Sequence, residues 1–182
     1  MDALDEKFGI LIDPQPLPER HRAFQTWERD FAPNSLSKLD NATADSLMWA
    51  MHEISSGWKL GKVLIYDTKI IWIIDRSGNL WFAIEELVLN GKPTGYPKHT
   101  KLLITVSQSK LGHPALINCA QARIAGEIYF DTNSDPPIWK INNLSGRYGR
   151  HNSRTPVHLD NVVTLFKGYG IDVTPHFQRN TV

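Results

Sequence analysis

The sequence predicts an α+β domain with a mostly antiparallel sheet of five or six strands, an N-terminal helical segment and a C-terminal helix. Three observations carry this. The middle of the chain alternates β-branched and aromatic runs with turn residues. Helical periodicity is confined to two stretches that flank those runs. The composition, 41% hydrophobic and 21% charged over 182 residues, is that of an ordinary globular chain.

The elements follow in order. Residues 1–40 read as an extended, partly mobile arm. Pro14, Pro16 and Pro18 each bias the preceding residue away from helix, and His21 to Phe31 fits a short helix or an irregular arm. Residues 41–182 read as a single domain. It begins with a helix whose face is Leu47, Ala50, Met51 and Ile54, with Thr43 suited to cap it and Gly57 to end it. KVLIY (Lys62–Tyr66) and IIWIID (Ile70–Asp75) read as strands. RSGN (Arg76–Asn79) reads as a hairpin turn and LWFAI (Leu80–Ile84) as the return strand. Trp72 and Trp81 belong to that hairpin, where aromatic cross-strand pairs are common.

LNGKPTGYPK (Leu89–Lys98), with two glycines and two prolines, reads as a loop. LLITVS (Leu102–Ser107), ARIAGEIYF (Ala122–Phe130) and PIWKI (Pro137–Ile141) continue the sheet, with NSDPP as a turn before the last. Thr155 and Pro156 suit the cap and first turn of the final helix. Its stripe is Leu159, Val162, Val163 and Phe166, and Gly168 or Gly170 stops it.

Bulk properties narrow the function. The formal net charge is +1, so no overall field recruits nucleic acid or an acidic membrane. Cys119 is the single cysteine, which leaves no CxxC metal or redox pair and suggests a small buried side chain. The start, MDALDEKFGILIDPQPLPER, lacks the basic, continuously apolar pattern of a secretory signal. No run approaches the roughly 18 apolar residues that span a bilayer. The expectation is a chain made in the cytoplasm, with no membrane partner, and open to export by a specialised secretion system. GxGxxG, GxxxxGK[ST] and GxSxG are all absent, which disfavours dehydrogenase, P-loop and α/β-hydrolase readings.

Three groups of residues are candidates for chemistry. Alternation in ARIAGEIYF places Arg123, Ala125, Glu127 and Tyr129 on one face and Ile124, Gly126, Ile128 and Phe130 on the other. Glu127 is either part of a solvent-facing polar row or a carboxylate held on a rigid strand toward a cleft, able to act as base or to bind a ribose hydroxyl. His113, between Gly112 and Pro114, is either a hydrogen-bonded loop histidine or a proton-transfer group. No histidine stands at HExxH or HxxxH spacing, so a metal site is not expected.

The third group is INNLSGRYGR with the following histidine. Gly146 permits a sharp turn. Asn143 and Ser145 offer short polar side chains, Arg147, Arg150 and His151 offer positive charge, and Tyr148 offers a ring for stacking. Such a bend suits a phosphate, a nucleotide or an RNA segment. The competing reading has Asn143 and Ser145 capping the turn, Tyr148 in the core and the arginines solvated.

The text HPALINCAQARIAGEI (His113–Ile128), then INNLSGRY (Ile141–Tyr148), then GIDV (Gly170–Val173) resembles a known domain. That domain carries HSSxLxGxxVxxAGE, a strand, NxSGHYxP, and a helix ending in GxDV. It is shared by plant calmodulin-binding proteins with IQ motifs and by bacterial proteins that look like effectors or toxins. The resemblance spans residues 70–173. It departs at Arg147, where the family has histidine, at Pro114 and Ala115, where it has paired serines, and after Tyr148, where the basic stretch Gly149, Arg150, His151 replaces the family's proline. No IQ-type basic helix is present, so calmodulin binding does not carry over. The resemblance implies an effector or toxin-like domain with His113, Glu127 and the 143–151 segment at its working face. A nucleotide or nucleic-acid substrate fits these residues. ADP-ribosyl transfer from NAD is one form, with Glu127 orienting a ribose hydroxyl and Arg147 holding a phosphate, and a nuclease is another. The alternative is a non-catalytic module that binds a cognate protein, as an immunity or host-target-binding protein does.

Overall fold

The hairpin read from IIWIIDRSGNLWFAI lies at the heart of the molecule. In the computed structural model, which describes residues 2–14, 25–56, 68–98 and 109–179, it forms β2 (Ile70–Asp75) and β3 (Leu80–Ile84). Their register sets Trp72 opposite Phe82 and Ile73 opposite Trp81. Asp75 ties the turn together: its carboxylate accepts from the Ser77 and Asn79 amides at 2.8 and 2.9 Å and from Trp81 Nε1 at 2.9 Å.

Around this pair a six-stranded sheet assembles in the order β1-β3-β2-β7-β8-β9, with β1 Ser37–Lys38, β7 Ala122–Asp131, β8 Ile138–Asn142 and β9 Thr174–His176. All its pairings are antiparallel except β8 with β9. A second sheet has the order β5-β4-β6, from Lys92–Pro97, Glu86–Leu89 and Ser109–Leu111. The segment expected as a loop at Leu89–Lys98 is therefore largely a hairpin. Asn90 (φ 50°) and Gly91 (φ 73°) make its turn, and Pro93 and Pro97 are tolerated because β5 is an edge strand. The strands expected at 62–66 and 102–107, the helix stop at Gly57 and the residues at Pro16, Pro18 and His21 lie outside the described residues.

Both faces of the large sheet are covered, which is why β2 reads as five consecutive buried residues before Asp75. Ile70, Trp72, Ile74, Ile124, Ile128 and Ile141 point to one side. There they meet Leu47 and Met51 of α3 (Asn41–Ser56) and Leu159, Val162 and Phe166 of α4 (Pro156–Gly168). Each such side chain, fully buried, contributes about 1.5–3 kcal/mol. Ile71, Ile73, Ala83 and Ala125 point to the other side, against Leu116 and Tyr148. The alternation expected in ARIAGEIYF is present.

The helix ends have local causes. Asp40, rather than Thr43, caps α3: its carboxylate accepts from the Thr43 amide and Thr43 Oγ1 accepts from the Asp40 amide, both at 2.9 Å. Thr155 and Pro156 start α4 as expected, and Gly170 (φ 78°) closes its end.

The first residues join this body. α1 (Ala3–Phe8) places Phe8, 2% exposed, in the helix-side core. Asp2 and Asp5 pair with the buried Arg123 guanidinium at 3.1 and 2.5 Å. Ile12 bridges to Ala122. A further short helix, α2 (Thr26–Asp30), carries the buried Glu28. Among the described residues no helix is long and apolar enough to cross a membrane.

Candidate functional site

Glu127 owes its position to two neighbours. Gly126 lets β7 and the end of β8 approach closely, since a Cβ there would stand 1.8 Å from the Asn142 carbonyl oxygen. The Asn142 side chain then accepts from the Glu127 amide at 3.0 Å and from the Leu144 amide at 2.9 Å. Glu127 is only 7% exposed and its carboxylate meets Lys69 Nζ at 3.0 and 3.2 Å. Arg123, four positions earlier on the same face, is also buried. Of the two readings of this row, the solvent-facing one does not hold at either residue.

The carboxylate opens onto a cleft of about 260 Å³ whose walls include Lys69, Tyr129, Asn142, His176 and Gln178. β9 supplies the far wall. Its parallel register sets His176 beside Asn142, so Glu127 and His176 are separated by roughly two strand spacings, about 10 Å. The Tyr129 hydroxyl and His176 Nδ1 are 2.7 Å apart, and His176 Nε2 is 2.9 Å from the Gln178 amide nitrogen. Burial pushes the Tyr129 phenol above its ordinary pKa. Asp131, at the same cleft, is held at about 2 chiefly by its 2.6 Å contact with Lys140. Lys69 and Lys140 thus each already face a carboxylate.

His113 stands close behind Glu127 but not in the cleft. It lies in a 3₁₀ helix (His113–Ile117), is 8% exposed, and its Nε2 is 2.8 Å from the Gly126 carbonyl oxygen. Burial lowers its pKa, and the nearby Glu127 charge only partly opposes this. The imidazole is therefore a neutral donor that anchors the strand carrying Glu127.

The 143–151 bend is built into the second core. Tyr148 is fully buried among Ile71, Ile73, Leu116 and Ala125, and its hydroxyl donates to the Ala120 carbonyl at 2.9 Å. Burial drives its pKa far up. Ser145 is 1% exposed. Its amide donates to the Asn143 carbonyl at 2.8 Å, and its own carbonyl accepts from the Gly149 and Arg150 amides. The glycine that the bend requires is Gly149, where a Cβ would stand 2.1 Å from two carbonyl oxygens. Gly146 has open space around it and no left-handed backbone.

Arg147 faces Glu28 at 3.7 Å and donates to the Pro14 carbonyl at 3.3 Å, so it fastens earlier segments to the bend. Arg150 is partly buried. His151 is exposed, with Nδ1 2.7 Å from Ser153 Oγ, and burial and Arg154 lower its pKa.

One bend residue does reach the cleft through a neighbour. The Asn143 side chain, 1% exposed, accepts from the Gln178 amide at 2.7 Å and donates to the Gln178 carbonyl at 3.0 Å and the Gly149 carbonyl at 2.9 Å. This clamp fixes the end of β9 and with it His176. The structure thus brings Glu127, Tyr129, Asn142 and His176 together and leaves Ser145, Arg147, Tyr148, Arg150 and His151 out of the cleft. Sequence reasoning missed Lys69, just before β2, and also His176 and Gln178, because the β8–β9 pairing joins segments separated by the whole of α4. Cys119, expected to be buried, is half-buried with φ 56° and lies 3.6 Å from the Glu28 carbonyl. Among the described residues no three His, Cys, Asp or Glu side chains are grouped to hold a metal.

In comparison with known proteins, no protein-family model, no curated protein and no solved structure matches the chain. What fold and site define is an α+β domain with a carboxylate-bearing cleft at one end of a covered sheet.

Proposed function

We propose that the chain is an effector- or toxin-like domain that acts on a nucleotide-type substrate, with Glu127 as its working residue. The observation that supports this is the carboxylate of the buried Glu127, on a rigid strand and opening into a cleft lined by hydrogen-bonding side chains. A carboxylate so placed accepts a hydrogen bond from a ribose hydroxyl or takes its proton. The cleft, about 260 Å³, lies just below the roughly 300–1,000 Å³ usual for drug-sized ligands. It takes a nucleoside-sized group and leaves the rest of a dinucleotide such as NAD outside. Ribosyl chemistry, as in ADP-ribosyl transfer, fits this better than nuclease chemistry, because among the described residues Lys69 is paired with Glu127 and Lys140 with Asp131, and these pairs offer a phosphodiester no net positive charge. His113 and Asn143 serve as positioning residues.

A second reading is a module that binds a cognate protein. It is favoured by Trp49 on α3 and Tyr96 on β5, which are 67% and 72% exposed. Inducible expression in bacteria separates the two. The enzymatic reading expects growth arrest with the wild-type chain and recovery with Glu127→Gln. Growth unaffected by soluble wild-type protein contradicts it and favours the binding module.

A further inference from the structure

We propose that His176 and Tyr129 form a stacking wall for a planar ring, so that the ligand of the Glu127 cleft is a nucleoside rather than a free sugar or a polyphosphate. This rests on the reading of the cleft as a ligand site.

The argument starts from the edge of the imidazole. Nδ1 meets the Tyr129 hydroxyl at 2.7 Å and Nε2 meets the Gln178 side-chain amide at 2.9 Å. A neutral imidazole has one N–H and one lone pair, and both are used within the protein, whichever way the Gln178 amide is turned. Asn143 holds the Gln178 backbone by its amide and carbonyl, which keeps this arrangement in place. What His176 has left to offer is its face, and all three residues of β9 are exposed.

The Tyr129 ring stands beside it, with centroids 6.5 Å apart and planes inclined by 53°. Tyr129 stands two positions from Glu127 on the same face of β7, and His176 stands across the cleft on β9, roughly 10 Å from Glu127. A base stacked on the His176 face places its ribose toward Glu127. Stacking on aromatic side chains tolerates any base, because every base has a π face.

Charge argues against the phosphate end. Lys69 is matched by Glu127 and Lys140 by Asp131. A phosphate in the cleft would face two carboxylates and find no unmatched lysine among these two pairs.

The test uses the full chain and NMR titration with three probes: adenosine, D-ribose and AMP. Adenosine is expected to bind at least about tenfold more tightly than ribose, and AMP no more tightly than adenosine. His176→Ala should weaken adenosine by about 5- to 150-fold, the range of single base–aromatic stacks, and leave ribose unchanged. His176→Phe keeps a ring and should restore adenosine binding. Because His176 is exposed on an edge strand, these variants should keep the wild-type spectrum elsewhere. Equal affinity for adenosine and ribose, or a dominant gain from the phosphate, overturns the stacking wall while Glu127-dependent binding keeps the cleft reading intact. If wild type binds none of the three, the cleft reading itself fails and the wall fails with it.

Discussion

Replacing Asn143 by alanine tests whether the polar bend serves the fold or a ligand. The side chain makes three hydrogen bonds, one to Gly149 and two to the Gln178 backbone, and is 1% exposed. A hydrogen bond contributes about 0.5–1.5 kcal/mol net, and a buried partner left unmade costs about 1–3 kcal/mol. Gln178 is only half-buried, so water reaches its freed groups. The loss should therefore be about 2–4 kcal/mol rather than the sum of full desolvation penalties. For a chain of this size that lowers Tm by about 6–12 °C. The assay is thermal or urea unfolding of Asn143→Ala beside wild type, with hydrogen exchange of residues 174–178 as the local readout. Exchange there should accelerate while β2 and β7 stay protected. A change under about 0.5 kcal/mol, the scale of an ordinary surface substitution, with unaltered exchange in β9, would refute the clamp.

Other expectations follow from the same geometry. Gly126→Ala places a methyl against the Asn142 backbone, which no side-chain rotation relieves; it should prevent folding, seen as loss of soluble protein. Tyr148→Phe, losing only the bond to Ala120, should cost about 1 kcal/mol in urea unfolding, whereas Tyr148→Ala should cost about 3–5 kcal/mol from the cavity. His113 has a folded pKa below its ordinary 6.5, so the unfolded chain binds more protons at mildly acidic pH. Its contribution is complete above about 6.5 and is lost as pH falls through the folded value; His113→Gln should flatten that part of a stability–pH curve. Asp131, lowered to about 2, contributes above its unfolded value near 4 and loses this as pH falls toward 2. Asp131→Asn should remove that acid dependence.

Much of the fold was legible because its signals were local. IIWIID, RSGN and LWFAI name a hairpin by β-branching and a turn, and the Leu159–Phe166 stripe names a helix by periodicity. The β4–β5 hairpin was hidden by Pro93 and Pro97, which read as loop residues until an edge position makes them harmless. The face shared by Glu127 and Tyr129 was visible in the alternation. The wall opposite was not, since β9 is three residues long and pairs in parallel with β8 across α4.

The bend shows where composition misleads. Asparagine, serine, glycine and arginine suit a phosphate cradle and equally suit a tight turn that must satisfy its own backbone under a core. Only the packing of Tyr148 beneath β2 and β7, and of Gly149 against two carbonyls, separates the two. Within the segment that resembles the SGHY pattern, Asn143 reaches the cleft only through Gln178.

The most direct measurement is an NMR titration of the ¹⁵N-labelled chain with NAD, run on wild type and on Glu127→Gln. The expected result is a set of shifts confined to amides at 127–131, 142–144 and 176–178, much reduced in the variant. Shifts centred on 147–151, or the same response in both proteins, would contradict the placement of the working site at Glu127.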